Sequence, residues 1–388
     1  MQRSLLAPEH EAFRQTVRDF IDQEIAPYHA QWEAEGCVDR SVWQAAGQRG
    51  LLGMDVPKKH GGGGLTDYRY HVVVAEELAR SGAHGPSFSL HSEIIGPYLR
   101  DLSTKEQRSR WLPGFCLGTL LTCIAITEPE AGSDLQAIRT RAVRDGQDYV
   151  LNGQKTFITN GVLADLILVV ARTGEGPRGA SLLVVEGDTP GLSRRPLAKK
   201  AGRHAQDTAE LTFTDVRVPA TNLLGGEGRA FAHLLRNLPI ERLSIAVAAT
   251  AAAEQALDET LHFLSKPSKH EVESAQERAN GWTPHDSQGM RFQLAELTTA
   301  VAAARAFTDQ CVLAHMAGTL ESTDAAMVKW WATETCQRVS EQCLQLRAVR
   351  GGFNGLASAA QVWLDARAQT IYGGTTEVMK ELIGQALI

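Results

Sequence analysis

Apolar residues recur at spacings of three and four near the N-terminus. In EAFRQTVRDFIDQEI the positions Phe13, Val17, Phe20, Ile21 and Ile25 fall on one stripe, which predicts an amphipathic helix. Helical spacing continues to about residue 118, over Tyr70–Arg80 and Lys105–Trp111, with breaks at Gly61–Gly64 and Gly82–Pro86. The pattern then changes. DYVLNGQKTFITNG, ADLILVVART, GASLLVVEGD and AELTFTDVRVP are short β-type runs, and Asn152-Gly153 inside the first predicts a tight hairpin turn. From Gly228 the helical period returns in LSIAVAATAAAEQALDETLHFL and RFQLAELTTAVAAARAFTDQCVLAHMA, Ala-rich helices with faces broad enough for a bundle. The expected architecture is α+β: an N-terminal helical domain over 1–118, a middle antiparallel β domain over 119–222 and a C-terminal helical bundle over 223–388.

Composition narrows the classes. The 388 residues are 43% apolar and 22% charged with a net charge of −6, which speaks against a nucleic-acid partner because no basic stripe faces phosphates. No apolar run reaches membrane-spanning length, and MQRSLLAPEHEAF has no apolar signal core, so neither membrane insertion nor secretion is expected. The six cysteines form no C-x-x-C pair, which suits a reduced, cytoplasmic protein. Nicotinamide, nucleotide-phosphate and hydrolase signatures are missing: no G-x-G-x-x-G follows a strand, and neither G-x-x-x-x-G-K-[ST] nor G-x-S-x-G occurs. No histidine or cysteine spacing suggests a metal site.

Three stretches carry candidate chemistry. Ile124-Ala-Ile-Thr-Glu-Pro-Glu-Ala-Gly-Ser-Asp134 offers backbone N–H groups around Ala131-Gly132 and the Ser133 hydroxyl to a polyanion. Lys155-Thr-Phe-Ile-Thr-Asn-Gly161 places Phe157 and Thr159 two residues apart, one aromatic and one hydroxyl for one strand face. IYGGTTE, at 371–377, joins an apolar, strand-like lead-in to a helix N-terminus, where glycines permit close approach of an anion.

Together these stretches resemble the acyl-CoA dehydrogenase family of FAD-dependent enzymes. TEPEAGSD followed by NGQKTFITNG at this spacing is highly specific, and AQDTAELTFTDVRVPATNLLG resembles the family's exit from its β domain. The resemblance spans nearly the whole chain. It implies α,β-dehydrogenation of an acyl thioester, with FAD as cofactor and an electron-transfer flavoprotein or another acceptor as partner. It also implies a homotetramer or dimer whose flavin sites are completed by a neighbouring subunit. Carried over by residue, Ile124, Ile126, Thr127, Gly132, Ser133, Phe157, Ile158, Thr159, Arg278, Gln345, Gly351, Gly352, Thr375 and Glu377 would bind FAD. Ser133, Arg242, Gly373 and Gly374 would meet the substrate.

Many members of the family carry the base in a Tyr-Glu-Gly-Thr turn, where this chain has Gly373. A subset resembling the long-chain and isovaleryl enzymes instead carries it on a helix just before an arginine. In this chain that position is Glu241, in Leu238-Pro-Ile-Glu-Arg-Leu-Ser-Ile245. Glu241 is thus the candidate base, the alternative being a first-turn acid that complements a helix dipole. Two segments depart from the family. At the usual R-x-x-F-G element Glu277 and Asn280 occupy the arginine and phenylalanine slots, with Arg278 one place off. Extra residues at Arg347–Arg350 leave two arginines either to pair with pyrophosphate or to be solvated. Two further readings stay open: the same chemistry on a carrier-protein thioester, and a flavin-poor, non-catalytic partner subunit.

Overall fold

Local sequence explains most of the helices seen in the computed structural model, which describes residues 3–176, 179–265, 287–351 and 356–388. The chain forms two units: Leu6–Ala75 with Ala83–Glu241, and the first five residues with Glu76–Gly82 and Arg242–Ile388. In the first, α1 (Pro8–Glu24) has proline in its opening turn, where a missing N–H costs nothing, and buries Val17, Phe20 and Ile21. Then follow α2 (Ala26–Glu35), α3 (Arg40–Gln48) and α4 (Arg69–Arg80), the last of which ends in the second unit. A π-helical segment, Leu90–Ile95, leads into α5 (Gly96–Leu102). The next helix, α6 (Lys105–Cys116), starts in a Thr104–Gln107 capping box that satisfies two backbone N–H groups.

The β region is, among the described residues, an eight-stranded sheet. Its strands are β1 (Thr122–Ala125), β2 (Arg141–Asp145), β3 (Asp148–Thr159), β4 (Leu166–Arg172), β5 (Ala180–Glu186), β6 (Leu192–Pro196), β7 (Thr208–Pro219) and β8 (Leu223–Leu224). Pairing is mostly antiparallel in the order β6-β7-β3-β2-β4-β5-β8, with β1 added to β4 in parallel. β4 and β5 read as unbroken apolar runs because both their faces are covered. One face packs on Tyr98, Leu99, Trp111 and Phe115, and the other on Tyr149, Leu151, Leu211 and Phe213 of β3 and β7.

The hairpin expected at Asn152-Gly153 does not form there. The chain reverses between β2 and β3 at Asp145–Asp148, around Gly146 with φ 60°, and Asn152-Gly153 lies inside β3. Gly153 sits at a register shift against β7, where a Cβ would come within 2.5 Å of Thr140 Oγ1. The Asn152 side chain works across the ladder instead. Its Nδ2 donates to Asp215 Oδ1 at 3.0 Å and its Oδ1 accepts from Asp215 N at 2.9 Å.

The second unit is a helical bundle. It holds α7 (Ala230–Ser265) from Arg242 onward, α8 (Gln288–Met316), α9 (Ser322–Gly351), α10 (Ala357–Arg367) and α11 (Thr376–Leu387). Inside it, Arg305 donates to both carboxylate oxygens of Glu254 at 2.7 Å and to Glu76 Oε1 at 2.6 Å, while Arg3 bridges Glu76 and Asp309. Glu76 is fully buried, so its charge depends on these two arginines.

Candidate functional site

The loop after β1 is organised by a buried carboxylate. Glu128 and Ala131 exchange backbone hydrogen bonds of 3.0 and 3.1 Å, which closes a tight turn and leaves Gly132 and Ser133 exposed beyond it. The Ala131 N–H expected to face a polyanion is therefore already spent. No atom lies within 4 Å of where a Gly132 Cβ would be, so that backbone is open to approach. The Glu128 side chain accepts from the N–H groups of Arg139 (2.7 Å) and Thr140 (2.9 Å) and from Lys155 Nζ (2.8 Å). These bonds hold its ionised form and pull its pKa down against the opposing effect of burial. Nothing in the helical or strand periodicity marks Glu128 and Lys155 as a pair, and sequence reasoning missed both.

β3 is irregular where the second motif falls. Pairing with β7 shifts register between Lys155 and Ile158, and Phe157 takes φ 58°, a left-handed conformation that costs a non-glycine residue about 1–2 kcal/mol. The bulge turns Phe157 outward, 69% exposed, although its type alone favours a core. Thr159, two residues on, is half-buried. Ile158 is a correction to the expected cofactor set: its side chain enters the sheet core with Ala209 and Leu211, leaving only its backbone for a ligand. Ile124 and Ile126 lie together on the helix-facing side of the sheet, half-buried, and Thr127 accepts from Thr156 N at 2.9 Å through its carbonyl.

Glu241 lies about three turns into α7 rather than in its first turn, so the helix-dipole alternative lapses. It is half-buried, two residues after Pro239, which interrupts the helix hydrogen bonding. Asn237 is one turn earlier, on the same helix face. Across from this face Tyr98 is buried, and its phenol pKa is raised by that burial and then by the Glu241 charge, with a hydrogen bond to the Asn237 side chain acting the other way. The arrangement places a carboxylate beside a neutral hydroxyl and an amide.

In the second unit, IYGGTTE follows helix rather than strand. α10 and a 3₁₀ turn (Ala368–Thr370) precede it, and Ile371 and Tyr372 are exposed. Gly373 and Gly374 take φ 67° and 101°, and a Cβ on Gly374 would meet Met379 Cε at 2.4 Å. Two side chains absent from the sequence reading fix the turn: buried Lys329 donates to the Gly374 carbonyl at 2.7 Å, and Thr376 Oγ1 donates to Glu334. Thr375 caps α11 by accepting from Val378 N at 3.3 Å, and Glu377 is exposed in the first turn, its pKa lowered by the N–H groups there. Arg242 is buried among the bundle helices and reaches the Ser322 hydroxyl at 3.5 Å. Arg347 is neither solvated nor open to a ligand phosphate. It is buried, 3.5 Å from Glu259, bonded to Ser358 Oγ and over the Phe263 ring. Gln345 is exposed and Gly351 ends α9. Gly352, Glu277, Arg278 and Asn280 lie outside the described residues.

Family models match the chain in three parts: acyl-CoA dehydrogenase N-terminal domain over 7–119, middle domain over 123–216 and C-terminal domain over 228–388. The chain belongs to the acyl-CoA dehydrogenase family. Among its relatives, the long-chain specific acyl-CoA dehydrogenase, mitochondrial, of Rattus norvegicus is 44% identical over 390 residues, covering 100% of this chain and 88% of that protein. The crystal structure of an acyl-CoA dehydrogenase from Geobacillus kaustophilus superposes with a TM-score of 0.92 at 42% identity, over 98% of both chains. A glutaryl-CoA dehydrogenase from Mycobacterium smegmatis in complex with FADH2 gives a TM-score of 0.88 at 26% identity, over 99% of this chain and 95% of that one.

As a member of this family, the chain is an FAD-dependent oxidoreductase acting on CH–CH groups. Its residues fit the flavin: an outward aromatic held by a bulge, a glycine with open space beside it, and hydroxyls at Ser133 and Thr159. An open pocket of about 530 Å³ adjoins the Glu128 loop and is lined by Gln136, Arg139, Arg141, Arg172 and Gly174–Gly176, with Glu175 the only acid among the described lining residues. Among the described residues, no helix is long and apolar enough to cross a membrane.

Proposed function

We propose that this enzyme dehydrogenates acyl thioesters at the α,β bond with Glu241 as the base. FAD, when bound, supplies the acceptor for the β-hydrogen as hydride. Glu241 takes the α-proton, which demands a carboxylate kept ionised and aimed at a weakly acidic C–H. The observation that carries this reading is the position of Glu241 deep in α7, half-buried beside Tyr98 and Asn237, while the alternative base position is Gly373, which has no side chain. Gly373 retains its backbone N–H, which suits it to donate to the thioester oxygen as enolate charge develops.

In the same reading Ile126, Thr127, Phe157 and Thr159 line the flavin ring, Gly132 and Ser133 meet phosphate or thioester, and Thr375 and Glu377 belong to a second cofactor contact. The basic cavity at Arg139, Arg141 and Arg172 favours an acyl carrier bearing phosphate, either CoA or the phosphopantetheine arm of a carrier protein. Reoxidation by an electron-transfer flavoprotein or another acceptor, and assembly as a homotetramer or dimer, form part of the proposal.

Glu241→Gln tests the base assignment. The expected result is normal flavin content and thioester binding, with turnover reduced by roughly 10²–10⁴ and no anaerobic bleaching of the flavin on that time scale. Undiminished turnover would remove Glu241 from the role.

A further inference from the structure

We propose that the Glu128–Lys155 ion pair is a positioning element, holding Ile126–Thr127 and Thr156–Phe157 in the arrangement that receives the flavin ring. The inference rests on the flavin placement proposed above. One buried carboxylate collects three pieces of chain: its own turn at 128–131, the backbone N–H groups of Arg139 and Thr140, and the ammonium of Lys155 on β3. Lys155 is fully buried and also donates to the Ile126 carbonyl at 2.8 Å. The next residue, Thr156, donates its N–H to the Thr127 carbonyl at 2.9 Å. The pair therefore ties the strip after β1 to the strand just where β3 loses its register.

Stability alone does not account for such a pair. Buried ion pairs are often no more stabilising than apolar side chains of similar volume, because desolvation offsets the attraction. What they add is direction, since each donor must meet its acceptor at a set distance and angle. Burial draws the Lys155 pKa down to about 8, against the raising effect of Glu128, so the ammonium is retained at a cost. The bulge that follows holds Phe157 at a positive φ, a conformation that persists only where neighbours fix the chain on both sides. Lys155 and Thr156 fix it before the bulge. After it, Asn160 donates its N–H to the Asp207 carbonyl and its side-chain amide to the Thr122 carbonyl.

The experiment compares wild type, Lys155→Met, Lys155→Met/Glu128→Leu and Glu128→Gln. It records thermal unfolding without flavin, FAD affinity by titration of the deflavinated protein, and the visible spectrum of the bound flavin. Lys155→Met should lower both Tm and affinity, because Glu128 is left buried without the ammonium. The apolar double variant removes the uncompensated charge and should recover only part of the Tm, because the N–H groups of Arg139 and Thr140 still lack their acceptor, and should bind FAD at least tenfold more weakly, with a displaced flavin band. Recovery of wild-type affinity together with Tm would overturn the positioning role and leave a purely structural pair. Glu128→Gln, which keeps the shape, should stay folded and weaken FAD several-fold. Wild-type affinity in that variant would overturn the proposal even if the double variant fails to fold. If the wild-type protein itself takes up no FAD, the flavin placement fails along with the pair's role, an outcome distinct from failure of the pair alone.

Discussion

Arg141 opens β2 at the rim of the basic cavity with its side chain exposed. Its neighbours are engaged: Arg139 pairs with Glu130 at 2.7 Å, and Arg172 donates to the carbonyls of Ile138 and Gly176. Arg141→Ala is therefore expected to raise KM for an acyl-CoA about tenfold, as for a lost charge-assisted hydrogen bond, and to leave kcat little changed. The same acyl group on pantetheine, which lacks the 3′-phosphate and diphosphate, should show no such change. Equal KM effects on both thioesters would place the carrier's phosphates elsewhere. At this scale residue type left Arg347 to solvent or phosphate, whereas Glu259, Ser358 and Phe263 enclose it. Phe157, read with its neighbouring motifs as a flavin contact, is turned outward by a bulge that periodicity does not show.

Elements are tied together by charge as well as by apolar faces. The end of α4 and the helices α7 and α8 meet in the bundle unit through Glu76, Glu254, Arg305 and Asp309, with Arg3 as the N-terminal contribution. Arg305→Ala removes the guanidinium shared by Glu76 and Glu254, leaving the first to Arg3 and the second to Arg80. It should cost about 2–3 kcal/mol, as for charge-assisted hydrogen bonds lost from a buried setting, read as a lowered denaturant midpoint at constant m. Arg3→Ala should cost less, because Arg3 is the more exposed of the two and Arg305 still neutralises Glu76. A loss from Arg3→Ala equal to that from Arg305→Ala would contradict this ordering. The helix α7 carries the catalytic proposal at the same scale. Its periodicity was legible, but its start at Ala230 was not, and the length N-terminal to Glu241 is what separates a base from a dipole-complementing acid.

For the molecule as a whole, a buried imidazole is expected to make stability sensitive to acid. His91 donates from Nε2 to the Phe115 carbonyl at 3.0 Å, so Nδ1 of the neutral ring faces the Thr122 hydroxyl at 2.8 Å. Burial lowers its pKa to about 4, from the ordinary 6.5. Between those values the unfolded chain binds the proton and the folded one does not, so stability falls as pH drops from 6.5 towards 4. The full loss from this group is of order 3 kcal/mol. His91→Gln should flatten that part of the stability–pH curve, measured by denaturant unfolding at fixed pH values. An unchanged slope would assign the acid sensitivity to other groups, with His84, whose pKa is also lowered by burial, as the first to examine.

The sequence by itself determined the α–β–α order, because periods of 3.6 and 2 follow from backbone geometry and burial on one face. It also marked the TEPEAGSD, FITNG and YGGTT stretches as candidates through chemistry written in contiguous residues, and the acid before Arg242 through resemblance to the family. Only the tertiary structure decided which of those residues face outward. Asn152-Gly153 prefers a hairpin locally, yet Thr140 and the Asp215 partner across the ladder absorb it into β3. Glu128 and Lys155, 27 residues apart, meet because the loop after β1 folds back beside β3. Lys329 finds the Gly374 carbonyl across 45 residues for the same kind of reason. Such partnerships depend on distance in space, and local periodicity carries no record of that distance.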